Sequence, residues 1–128
     1  MLDSRASLRV YSSTLSLVEI TNTIGVESSK GYSVNEPWDK YPDRIRKDSL
    51  WLKHSTLADD VELVEHLLQH LNFIENRKDI FLSLRDKCEI DLFCFLGSDN
   101  GQGGIYIPHN ISKRLSELEI DLIVDIHI

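Results

Sequence analysis

Two alternating runs in the C-terminal third constrain this chain more than anything else in it. In CEIDLFCFL, Cys88, Ile90, Leu92, Cys94 and Leu96 fall on one side of an extended strand, and in IDLIVDIHI so do Ile120, Leu122, Val124, Ile126 and Ile128. A strand with one apolar face needs a layer to cover that face. The segment between the runs supplies a helix, because NISKRLSEL sets Ile111, Leu115 and Leu118 at i, i+4 and i+7 behind Asn110 as a cap. GIYIP, joined to the first run through SDNGQGG, reads as a further strand closing a hairpin. The expected unit is strand, hairpin, strand, helix, strand.

The N-terminal part echoes this unit. ASLRVYSS alternates as a strand with Leu8 and Val10 on one side. A helix follows, with Ser16 and Glu19 at capping-box spacing, Leu17, Thr21 and Ile24 in a stripe, and Gly25 at the left-handed C-terminal position. Matching Ser16 to Asn110, the two stripes to each other and Val26 to Ile120 gives a strand-helix-strand repeat. Residues 27–48 are polar, hold Gly31, Pro37 and Pro42, and read as a long loop with a short strand near Tyr32 to Val34. SLWLKHS then alternates, placing Leu50 and Leu52 opposite Trp51, and alternation alone does not choose the buried side. From Asp59, a cap, a helix turns Val64, Leu67, Leu68 and Leu71 inward, and after a break near Asn72 a second set carries Ile80, Phe81 and Leu84.

The 128 residues fit one domain, 1–128, large enough to build a core without staples. No run approaches the ~18 apolar residues of a membrane span, and the first residues lack a basic segment followed by an apolar one, which leads us to expect a cytoplasmic protein with no membrane association. Cys88 and Cys94 share a strand face at a separation of about 20 Å, so they are expected to be core thiols and not a bridge. A net charge of -7 argues against a nucleic-acid surface and suits a basic protein partner.

No reaction is spelled out. His66 and His70 stand at the i, i+4 spacing of two metal ligands with Glu62 a turn before them, but HLLQH lacks the glutamate that a zinc peptidase places after its first histidine. The plainer expectation for the pair is a solvated, salt-bridged helix face. GSDNGQGG has neither the Lys-Ser/Thr ending of a phosphate loop nor enough carboxylates for calcium, and reads as a flexible turn. Asp125 and His127 share the polar side of the last strand. No catalytic residue, cofactor or metal site is therefore expected. What remains is PWDKYPDRIRKD, where Trp38 and Tyr41 beside arginines have the composition of an interface anchor. Beyond it, Asp59, Asp60, Glu62 and Glu65 would stay exposed on the N-terminal half of the helix that follows. These six residues form the expected partner-binding surface.

LSLVEITNTIGVESSKG, Trp51, Leu52 and Ser55, VELVEHLLQHL and ISKRLSELEIDLIVDIHI together resemble a bacterial family called domain of unknown function 4279 over about residues 8–127. The resemblance implies an α/β sandwich and carries no catalytic residues. Small proteins that look like this occur among immunity proteins of bacterial toxin systems, including contact-dependent growth inhibition. It thus implies a non-enzymatic protein that binds a cognate toxin domain, a basic nuclease by charge. The alternative is a small-ligand or metal-binding, enzyme-like domain using a helix-sheet cleft with His66, His70 and Glu62.

The expected fold is α/β (α+β). A single mixed or antiparallel sheet carries helices 16–24, 60–85 and 110–118 mainly on one face, in pseudo-duplicated strand-helix-strand units, as a monomer or weak homodimer.

Overall fold

The computed structural model describes residues 2–128. The eleven-residue strand β1 (Leu2–Ser12) lies at its centre. Then follow α1 (Leu17–Ile24), β2 (Lys30–Tyr32), β3 (Ser49–His54), α2 (Leu63–Glu75), α3 (Lys78–Leu84), β4 (Glu89–Ser98), α4 (His109–Glu117) and β5 (Asp121–His127). The five strands form one open sheet in the order β2-β3-β1-β4-β5. All neighbours are antiparallel except β4 and β5, which are parallel. The first four strands with their helices follow the split β-α-β pattern of ferredoxin-like folds, and α4 and β5 extend it at one edge.

Pairing sets which side chains meet. Across β1, Val10 opposes Trp51 and Ile90, Leu8 opposes Leu92, and Ala6 opposes Cys94. These residues share one sheet face and form a single core cluster with Ile20 and Ile24 of α1, Leu67, Leu71 and Ile74 of α2, Phe81 and Leu84 of α3, and Ile111 and Leu115 of α4. All four helices therefore cover the same face. Trp51 settles which side of β3 packs: its ring is fully buried, its Nε1–H donates to the Val26 carbonyl at 3.1 Å, and Phe73 stacks on it at 6.3 Å. Leu50 and Leu52 consequently point to the other face.

The capping box of α1 is present, with the Ser16 hydroxyl accepting from the Glu19 N–H and the Glu19 carboxylate accepting from the Ser16 N–H; Gly25 is left-handed at φ 81°. The strand-helix-strand echo holds in part. β4 and β5 are adjacent and parallel, while β1 and β2 are also parallel but have β3 inserted between them. Long-range pairing thus breaks the repeat.

Three expectations need correcting. GIYIP is not a strand: residues 102–108 are irregular, because β4 already has β1 on one side and β5 on the other and offers no free edge. The long helix begins at Leu63 and breaks at Asn76 and Arg77; Asp59 does not cap it, and its carbonyl instead accepts from the Ser4 N–H at 2.8 Å. Asn110 lies inside α4, whose N-cap is Pro108.

Candidate functional site

Placing the four helices on one side leaves the opposite side of the sheet without a covering layer. Strand alternation assigns to this open face Lys30 and Tyr32 of β2, Leu50, Leu52 and His54 of β3, Arg5, Ser7, Arg9 and Tyr11 of β1, Asp91, Phe93 and Phe95 of β4, and Asp121, Ile123, Asp125 and His127 of β5. Aromatic rings here are paired with guanidinium groups. Arg9 lies 4.4 Å from the Phe93 ring centre and 5.0 Å from that of Tyr11, and Arg5 lies 4.3 Å from that of Phe95. Each such contact contributes about 0.5–1 kcal/mol where exposed and about 2 kcal/mol where desolvated. Arg9 also makes a two-pronged pair with Asp91, Nε to Oδ1 at 2.7 Å and Nη2 to Oδ2 at 2.9 Å, with both side chains mostly buried. At the β5 edge, His127 Nε2 meets Asp125 Oδ2 at 2.8 Å while its ring tilts against Phe95 at 4.7 Å.

The loop before β3 extends this face. Its residues 35–46 fold back as a two-stranded ribbon, with Asn35 N–H donating to the Arg46 carbonyl, Arg46 N–H to the Glu36 carbonyl and Trp38 N–H to the Arg44 carbonyl. Arg46 then reaches over Tyr32 at 3.7 Å and Trp38 at 4.9 Å, and Arg44 over Tyr41 at 4.9 Å. Trp38 stays 43% exposed and Tyr41 52%, outside the core cluster, so neither ring serves to cap the core edge. A concavity of about 440 Å³ lined by Tyr11, Tyr32, Trp38 and Arg46 joins the ribbon to the sheet.

The four acidic residues expected beside these aromatics lie elsewhere. Asp59, Asp60, Glu62 and Glu65 are all exposed, but they follow β3 past the N-terminal end of β1, where Asp59 Oδ1 comes within 4.0 Å of Arg5 Nε. Trp38 adjoins Tyr11 at the opposite end. Six residues of strand separate Arg5 from Tyr11, about 20 Å. The acidic set and the aromatic set are not one patch; the open face is the surface that borders both.

His66 and His70 are not solvated. Both are buried against the sheet, with His66 Nδ1 2.6 Å from Ser55 Oγ and His70 Nε2 donating to the Ala6 carbonyl at 2.8 Å. Burial pushes the His70 imidazole down to about 4, with the Ala6 bond opposing in part and Lys53 adding to the fall. Glu62 is exposed and does not join them, and among the described residues no three His, Cys, Asp or Glu side chains gather as a metal site. His66 Nε2 is buried without a hydrogen-bond partner among the described residues. Cys94 is buried and its thiol is pushed up to about 12 by burial, and burial also raises Cys88; neither is disulfide-bonded. A concavity of about 970 Å³ opens at the C-terminal end of β1 between Ser12–Leu15 and Arg85–Glu89. Its Ser12 hydroxyl is already occupied, donating to the Lys87 carbonyl and accepting from the Leu15 N–H. Asn100 Oδ1 accepts from the Gln102 N–H, which folds the glycine-rich turn on itself.

Fold and surface define a small α+β protein with its helices on one side and an arginine-aromatic sheet face on the other. No helix among the described residues is long and apolar enough to cross a membrane. Over residues 3–128 the chain matches the family model described as Domain of unknown function (DUF4279), and it belongs to that family. No curated protein and no solved structure matches it.

Proposed function

We propose that this chain is a non-enzymatic, cytoplasmic binding protein that neutralises a cognate bacterial toxin domain, of the contact-dependent growth inhibition kind, by covering it with the open sheet face. The observation that carries this reading is the asymmetry of the fold: four helices cover one side of the sheet, while the other presents Arg5, Arg9, Phe93, Phe95 and Tyr32 with the Trp38 ribbon beside them. Arginine and aromatic side chains are enriched among residues that dominate interface energies. The dimensions are compatible. Five strands at ~4.8 Å spacing and a length of ~20 Å give on the order of 400 Å² of flat area, which side-chain relief and the ribbon raise toward the ~800 Å² per partner of a standard interface.

Overall charge, rather than the arginines of the face, of which Arg9 is paired with Asp91 and Arg5 lies near Asp59, favours a basic partner. The net charge is -7, and Asp59, Asp60, Glu62 and Glu65 rim the face at its Arg5 end, where they would steer encounter with a basic nuclease. The test is to co-express the protein with toxin domains encoded beside its gene and measure co-purification and protection of the host. Failure to bind or protect against every such domain overturns the reading.

A further inference from the structure

The two edges of the sheet are unlike. β2 has three residues and continues into the ribbon, whereas β5 has seven, and among the described residues no further strand pairs with its flank away from β4. Exposed strand edges recruit other strands unless something blunts them. This one also exposes apolar side chains, with Ile123 41%, Ile126 66% and Ile128 89% accessible. Asp121, Asp125 and His127 stand on its open-face side, and these two carboxylates and the imidazole decide what can pair with it.

We infer that β5 pairs antiparallel with β5 of a second copy about a twofold axis at Val124, joining two sheets into one of ten strands. In a twofold pair the numbers of opposed residues have a constant sum, and an odd sum would set the charged face of one strand against the apolar face of the other. Centring on Val124 opposes Asp121 with His127, Leu122 with Ile126, Ile123 with Asp125, and Val124 with itself. Every pair on the helix side is then apolar, and on the open-face side the Asp121 carboxylate of each copy meets an imidazole while Asp125 stands opposite Ile123. His127 Nε2 is held by Asp125 at 2.8 Å, so its Nδ1 is the atom that meets Asp121 of the second copy. A shift of two residues in one direction opposes Asp125 with itself, and in the other opposes Asp121 with Asp125; like charges directly opposite destabilise a sheet. The Asp121 carboxylate facing an imidazole, with no carboxylate opposite another, therefore favours a second copy in this register. A single strand pair falls near or below the ~1,000 Å² of a robust interface, so the dimer is expected to be weak, with a dissociation constant in the micromolar range or above. The open face of β1, β3 and β4 remains free in this dimer, so the inference does not depend on the proposed toxin binding.

Sedimentation velocity of the full chain from about 5 to 500 µM covers the micromolar range. Reversible dimers are expected at the upper end. Ile126→Lys and Asp121→Lys should each weaken association by at least about tenfold, with circular dichroism and melting unchanged, while Lys30→Glu at the β2 edge should leave it as it was. A chain that stays monomeric throughout, or a dimer indifferent to Ile126→Lys or to Asp121→Lys, overturns the inference.

Discussion

At His70, burial and hydrogen bonding act in opposite directions, and burial is the larger effect. The imidazole titrates near 4 in the folded chain against 6.5 when unfolded. The unfolded state therefore binds more protons between those values, so the stabilisation is complete above pH 6.5 and is lost as pH falls from 6.5 toward 4. At ~1.4 kcal/mol per pH unit of difference the loss is about 3 kcal/mol. Urea midpoints at pH 7 and pH 4.5 should show this fall, and His70→Leu should flatten it; a variant with the same pH dependence as the parent would refute the assignment to His70. Ala6's carbonyl keeps its bond from the Ser55 N–H in that variant, so the backbone acceptor is not orphaned. The Arg9–Asp91 pair makes a second prediction. Asp91→Ala strands a guanidinium between Phe93 and Tyr11 and is expected to cost about 3 kcal/mol, whereas the double change Arg9→Met, Asp91→Leu should come closer to neutral, as chemical denaturation would report.

Among the elements, the ends of α1 were legible because their signals are local, although it buries Ile20 and Ile24 in place of the expected stripe of Leu17, Thr21 and Ile24. Ser16, Glu19 and Gly25 act within three or four residues of their partners, and the expected cap and terminus are those found. Ser16→Ala should cost about 1 kcal/mol, measurable as a lower melting temperature. Gly31 is needed for another reason: a Cβ there would stand 2.6 Å from the Leu50 carbonyl oxygen and 3.0 Å from Leu17, so Gly31→Ala should destabilise β2 against β3 and α1, visible as faster amide exchange in Lys30 to Tyr32. GIYIP misled for the converse reason. Its alternation is real, but the expected hairpin with β4 needs a free edge of that strand, and β1 and β5 had taken both. His66 and His70 misled similarly, since the Ser55 and Ala6 groups that allow their burial are 11 and 64 residues away in sequence.

For the whole molecule, the proposed docking separates into charge and contact. Replacing Glu62 and Glu65 with Lys should slow association with the toxin domain and reduce its salt dependence while folding is unchanged. Trp38→Ala and Tyr41→Ala should mainly speed dissociation, and the open-face changes Arg5→Ala and Phe95→Ala should do so as well. Surface plasmon resonance with resolved rates checks both; unchanged binding by all of these variants would place the interface off the open face, with the Asp99 turn the next surface to test. Rates matter here because a steered encounter and a held complex draw on groups about 20 Å apart.

Periodicity in the sequence determined that there would be strands with one apolar side and helices to cover it, because side-chain direction repeats every two or every 3.6 residues whatever the rest of the chain does. Only the tertiary structure decided that β3 inserts between β1 and β2, that two histidines belong to the core, and that the acidic and aromatic sets stand at opposite ends of β1. Each of these depends on strand order and on pairs distant in sequence, and the free energy of such a contact exists only once the chain has closed the loop that brings the partners together.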